Sequence, residues 1–145
     1  AHIRVMDQVL PALAQYPEYQ REVQRLHNLA TESRAFSEDP AHPAERMESA
    51  PPAALHPLSV AYVIFGSRLG SRVIAADLKR QDVPWPQAAI AYFTDDQTRA
   101  HWQHLVQVIK DYEDQEDRIV SDSVLTFELF LSEAREARAL LQSSK

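Results

Sequence analysis

The chain has no cysteine, and only two of its 145 residues are glycine. Without cysteine there is no thiol nucleophile, no cysteine-ligated zinc, no iron–sulfur cluster and no disulfide scaffold. So few glycines, set beside nine prolines, argue against a β-rich fold of tight turns, and nothing repeats as collagen or low-complexity sequence would. Excess positive charge is missing too. The 21 acidic and 15 basic residues leave a net charge of −6, which draws in no phosphate backbone, so nucleic acid is not an expected partner. No apolar run approaches the roughly 20 residues of a membrane span, and Ala1-His2-Ile3-Arg4 does not read as a signal peptide. What is present, 45% hydrophobic and 25% charged residues, fits one globular core. The expectation is a single cytoplasmic domain over 1–145 with no membrane partner.

Helical periodicity dominates. Ile3, Met6, Val9, Leu10, Leu13 and Ala14 recur at helical spacing, and Pro11 among them predicts a kink or a tight turn. A second helix is predicted from about Glu18 to Thr31, with Tyr19, Val23, Leu26 and Leu29 on one side. From Glu32 to Pro57 the chain becomes a long surface connection, with prolines at 40, 43, 51, 52 and 57. Leu58 to Arg80 reads as one central helix, apolar nearly all round between Ala61 and Leu69; at about 1.5 Å per residue it would be a rod of roughly 35 Å. Trp85 to Phe93 reads as a turn or short helix. A helix capped by Thr94 or Asp95 then runs to about Tyr112, and a last one runs from about Gln115 to Leu141. Its predicted apolar stripe is Ile119, Val120, Val124, Phe127, Phe130 and Leu131. No period-2 alternation is long enough for a strand, so the predicted class is all-α.

Both glycines fall inside the central helix, in Tyr62-Val-Ile-Phe-Gly66-Ser67-Arg68-Leu69-Gly70-Ser71-Arg72. Each costs about 1 kcal/mol relative to alanine in a helix interior. Four residues apart, Gly66 and Gly70 share a face, with Ser67 and Ser71 as a second small pair beside them. Such a strip of bare backbone admits a neighbouring helix at close range. Equally, it lets something wide and flat lie against peptide atoms, with a local bend of the helix. Spacing alone leaves both readings open.

This segment resembles the heme oxygenase family, in particular the bacterial branch found alongside bacterial phytochromes. The helix over the distal face of the heme in that family carries a motif close to Tyr-Val-(Leu/Ile)-Glu-Gly-Ser-x-Leu-Gly-Gly, and this chain has Tyr62-Val63-Ile64-Phe65-Gly66-Ser67-Arg68-Leu69-Gly70-Ser71. Ile119-Val120-Ser121-Asp122-Ser123-Val124-Leu125-Thr126-Phe127 is similar to the family's last helix, and Tyr92-Phe93 and Trp102 fall where its aromatic connector and following helix lie. The resemblance spans Ile3 to Ala137 and is loose before Leu58. It implies a heme oxygenase-like helical bundle with the glycine-bearing helix as distal helix. It also implies heme as both cofactor and substrate, and opening of the ring with O₂ and electrons from a separate reductase to give biliverdin, carbon monoxide and iron. By the same resemblance Tyr62, Gly66, Ser67, Arg68, Gly70 and Ser71 would contact the heme and Phe127 would limit the pocket. Ser71 replaces a family glycine and would narrow the approach; Phe65 replaces an acidic residue; Ser67 matches the bacterial members. The family's proximal histidine lies on a helix before the segment that Ile3–Ala14 resembles. The chain is therefore expected to begin after that helix, and no axial or catalytic residue is identifiable. A non-catalytic relative that binds a tetrapyrrole, another apolar ligand or a protein partner on the same scaffold is the alternative.

Other groupings read more plainly. His101 and His104 form His-x-x-His without a third ligand and read as helix surface, so no metal site is predicted. His27 reads as a structural histidine, and His42 and His56 as loop residues before prolines. The acidic run Asp111, Glu113, Asp114, Glu116 and Asp117 lacks the spaced ligands and turn glycine of a calcium loop and reads as a solvated helix junction. Arg68 and Arg72 flank the glycine strip and read either as solvent-facing cations or as partners for a propionate or an incoming reductase. No phosphate loop, nucleophile elbow or His-Glu-x-x-His is present.

Overall fold

A computed structural model describes residues 2–35 and 54–143. Among these there is no strand, and the all-α class is observed. The helices are α1 (His2–Val9), α2 (Pro17–Ala35), α3 (Pro57–Ser67), α4 (Ser71–Arg80), α5 (Gln87–Thr94), α6 (Thr98–Lys110) and α7 (Glu116–Ser143), with 3₁₀ turns at Leu10–Gln15, Arg68–Gly70 and Glu113–Gln115. Pro11 sits in the first turn of the 3₁₀ piece that follows α1, where its missing N–H leaves no unmet bond. The bulk of the Glu32–Pro57 connection lies outside the described residues. α2 runs into it as far as Ala35.

Three expectations are corrected. The rod over Leu58–Arg80 is two helices, α3 and α4, divided by the 3₁₀ turn Arg68–Gly70. α6 begins at Thr98 rather than at Thr94 or Asp95, because Asp95 is extended and closes α5. His56 is not a loop residue on the surface: it is buried, and its Nδ1 accepts the Leu58 N–H at 3.2 Å as the cap of α3. Its own N–H donates to Asp122 at 2.7 Å, which fastens the entry of α3 to α7.

α3 is the axis. It packs against α2, α6 and α7, while α4 packs against α5 and α1 against α2 and α7. Leu58, Val60, Ala61, Ile64 and Phe65 of α3 are fully buried with Val5, Met6, Leu13, Tyr19, Val23, Leu26 and Leu105. Phe65 meets the Tyr19 ring edge-on with centroids 5.5 Å apart, so the residue that replaces an acid in the resembled motif is a core aromatic. Pro57–Arg80 contains an 18-residue window of mean hydropathy 1.2, long and apolar enough by composition to cross a membrane, and half of that window is buried inside the domain, as in a core helix.

A second set of contacts ties the helices through charge. Glu22 of α2 is 5% exposed; it accepts from Arg25 and, at 2.7 Å, from the Thr98 hydroxyl at the start of α6. Arg25 in turn donates two bonds to Asp95, at 2.9 and 2.8 Å. Burial works against the Glu22 carboxylate, but the bonds from Arg25 and Thr98 outweigh it and hold its pKa below the ordinary value. A carboxylate with a depressed folded-state pKa contributes stability above its unfolded-state pKa, and that contribution is lost as pH falls toward the folded one. Chemical denaturation from neutral pH down through the carboxyl range should therefore show a steeper loss of stability in the wild type than in Glu22→Gln. Parallel curves would mean that Glu22 is not an acid-sensitive link.

Candidate functional site

The glycines sit at the junction of α3 and α4. Gly70 has φ −82° and ψ −14°, ordinary right-handed helical values, and no residue in the described chain has a left-handed backbone. Neither glycine is needed for its conformational range. What differs is the space around each. A Cβ on Gly66 would lie 3.2 Å from Cζ3 of Trp102, so Gly66 is where the α6 indole seats against α3. A Cβ on Gly70 would meet nothing within 4 Å. Close helix packing accounts for Gly66 and leaves Gly70 without a structural reason.

Around Gly70 the surface is apolar. Tyr62, Gly66, Gly70 and Val73 follow at helical spacing, and Tyr62, Leu69, Val73 and Ile74 are exposed. Tyr62 tilts against Trp102 with ring centroids 5.3 Å apart. On α7, Val120, Val124, Leu125, Phe127 and Leu131 are exposed as well. Here the sequence reading of the last helix is corrected. Its predicted stripe does not enter the core as a whole: Ile119 is buried and Phe130 half-buried, while the remaining four stand open. α7 instead turns Ile119, Thr126 and Leu129 inward, with the Thr126 hydroxyl satisfied by Asp122 O at 2.7 Å. Where α3, α6 and α7 meet there is a cleft of about 520 Å³, whose lining includes Tyr62 but none of Gly66, Ser67, Gly70 and Phe127. Tyr62, Ile109, Tyr112, Ile119, Val120 and Val124 wall it, and Lys110, Glu113 and Glu116 supply its charged lining.

Of the residues singled out from the sequence, Tyr62, Ser67, Gly70 and Phe127 are exposed and Gly66 is half-covered. The Ser67 hydroxyl donates to Ile64 O at 2.7 Å, which leaves its lone pairs free to accept. Ser71 and Arg68 are not on this face. Ser71 is 4% exposed, so its hydroxymethyl group does not narrow the approach, contrary to expectation. Arg68, expected to face solvent or a ligand, is 7% exposed and lies with its guanidinium carbon 4.2 Å over the Tyr92 ring. Periodicity carried the signal for both: Ala61, Ile64, Phe65, Arg68, Ser71 and Ala75 form one buried stripe. Arg72 remains outside, 3.5 Å from Asp96.

Of the four described histidine side chains two are hydrogen-bonded, while both ring nitrogens of His27 and Nδ1 of His101 are buried without a hydrogen-bond partner. His27 lies 2.8 Å from Asp7. His56 caps α3 and pairs with Gln115 at 3.1 Å. His101 rests against Phe65. The hydrogen bond between His104 Nδ1 and the Tyr19 hydroxyl is 2.9 Å long. Burial, with Glu18 adding to it, pushes the Tyr19 phenol up to about 12, so this hydroxyl keeps its proton at neutral pH. Among the described residues no cluster of three metal-ligating side chains occurs, and the acidic run at 111–117 forms the exposed junction of α6 and α7. No family model, characterised protein or solved structure matches the chain.

The two glycines should respond in opposite ways to substitution. Gly70→Ala is expected to raise stability by about 0.5–1 kcal/mol, since a compatible backbone gains a better helix former at no steric cost. Gly66→Leu should lower it by about 1–3 kcal/mol by driving a branched side chain into Trp102. Thermal and urea denaturation of the two variants checks both signs, and a destabilised Gly70→Ala would show that the open space at Gly70 is occupied.

Proposed function

We propose that this chain is a heme oxygenase-like domain whose open face takes a tetrapyrrole, heme in the first instance. When an axial histidine and an external reductase are supplied, it opens the ring oxidatively to biliverdin, carbon monoxide and iron. The observation that carries the reading is Gly70: neither its backbone angles nor its neighbours require a glycine, yet it stands at a helix break beside the exposed Leu69, Val73 and Ile74. A position where alanine would be more stable is what a site where function opposes stability would show.

The residues fit one side of a flat apolar group. Gly70 would let a macrocycle approach peptide atoms, and the exposed Leu69, Val73 and Ile74 beside it would exclude water from it; the parts of Tyr62 and Phe127 in the pocket rest on the family resemblance. Ser67, already donating to Ile64 O, would offer an acceptor at the surface. Bound heme would bring a redox-active iron at which O₂ is activated. Among the described histidines, His56 and His104 are hydrogen-bonded to Gln115 and Tyr19, whereas both ring nitrogens of His27 and Nδ1 of His101 are buried without a hydrogen-bond partner; none is an identified axial ligand, and iron without one is not poised for that chemistry. The lack of an identified axial ligand favours a second reading, a non-catalytic scaffold that binds the tetrapyrrole.

Titration with hemin, followed by its Soret band, should give a saturable shift. Gly70→Leu should abolish the shift while leaving helicity by circular dichroism unchanged. Unaltered hemin affinity in Gly70→Leu would reject the face as the site. With imidazole added as an exogenous axial ligand, together with a reductant and O₂, the appearance of biliverdin absorbance identifies the oxygenase, and persistent heme absorbance identifies the scaffold.

A further inference from the structure

We propose that Arg68 is the positioning residue of the open face: its inward guanidinium holds the 3₁₀ turn Arg68–Gly70 and so sets where the Gly70 peptide lies. This rests on the reading of that face as a tetrapyrrole site. The side chain reaches from the turn to the end of α5. There its Nη2 donates to the Tyr92 carbonyl and, at 3.2 Å, to that of Asp95. Tyr92 is in the last turn of α5, where carbonyls have no partner within the helix and a cation is favoured by the helix dipole. The Tyr92 ring lies beneath the guanidinium and adds a cation–π contact. The Asp95 carboxylate is 4.0 Å from Nη2.

This arrangement is not the most economical way to fill the space. Arg68 Nε and Nη1 are buried without a hydrogen-bond partner, a cost that a methionine or leucine on the same buried stripe would avoid. What an apolar residue lacks is the pair of directed bonds to another helix. No proline or left-handed residue imposes 3₁₀ geometry, since Gly70 within the turn and Ser67 and Ser71 flanking it all have right-handed helical angles. The consequence of the turn is large. Three residues at 3.0 rather than 3.6 per turn advance the helix by roughly 60° more and lengthen it by about 1.5 Å. That rotation decides which way Val73 and Ile74 of α4 face relative to Tyr62 of α3. Arg68 thus acts on the face from behind, touching nothing that would bind there.

The test uses the full chain with Arg68→Met, Arg68→Lys and, should the methionine variant not fold, Arg68→Gln, which is too short to reach α5. Backbone NMR reports the turn directly. In the wild type the Ser71 N–H bonds to Arg68 O; in Arg68→Met or Arg68→Gln it should shift to Ser67 O as α3 and α4 merge, with amide exchange over 69–74 changing accordingly. Hemin affinity should fall about tenfold in these variants and stay within about threefold in Arg68→Lys, where a cation still reaches the α5 carbonyls. A 3₁₀ turn that persists in Arg68→Met or Arg68→Gln overturns the proposal, as does full hemin affinity after the turn is lost. If wild-type protein takes up no hemin, the functional reading fails, and the NMR comparison alone still decides whether Arg68 holds the turn.

Discussion

A run of buried and half-buried charges of alternating sign, Glu22, Arg25, Asp95 and Arg68, joins α2, the α5–α6 junction and the turn between α3 and α4. It starts on α2, crosses to the junction of α5 and α6, and ends on the turn that divides the central helix. Ion pairs removed from water give little net stability, because desolvation offsets most of the attraction. Their geometry is another matter. Each member has a fixed partner, and the two bonds from Arg25 to Asp95 leave little freedom in where the α5–α6 junction stands. Arg68 then binds carbonyls of that same junction. The apolar core centred on α3 supplies the stability, and the charges decide the register of the helices around it.

Seen from that end, the two sides of the α3–α4 region have different tasks. The inward stripe, Ala61, Ile64, Phe65, Arg68, Ser71 and Ala75, is tied to α2 and α5. The outward side carries Tyr62, Gly70 and Val73, with Trp102 seated on Gly66 as the boundary. One glycine makes room for the fold. The other leaves room that the fold does not use.

Much of this was legible from residue spacing, and what was not has physical causes. The break at Pro11 and the centrality of the segment after Pro57 followed from periodicity and proline alone, whereas the number of helices did not, since Leu58–Arg80 reads as one and is two. The break at Arg68–Gly70 was foreseeable only as a local bend, because no proline or left-handed residue marks it and a long-range bond from Arg68 accompanies it. Charge led the reading of Arg68 astray: an arginine between small residues looks solvent-exposed until Asp95 and the Tyr92 carbonyl, distant in sequence, are brought beneath it. The α7 stripe was misplaced for a related reason. Val120, Val124 and Phe127 are apolar and correctly spaced, but periodicity identifies an apolar face without saying that the described chain covers it.

The uncovered face and the open glycine constrain each other. Either alone has an ordinary explanation: exposed Val124 and Phe127 are what a partner helix would cover, and one helical glycine is a tolerable defect. A partner helix packs with its axis 8–10 Å away where side chains set the distance, and comes closer over small residues, so a missing Cβ at position 70 would serve such a partner too. A planar group asks more, since its full contact requires atoms near 3.5–4.0 Å from the peptide itself, and a single Cβ would prop it off along its whole width. On the proposed reading, an occupant of the second kind is what makes the missing Cβ at Gly70 worth keeping.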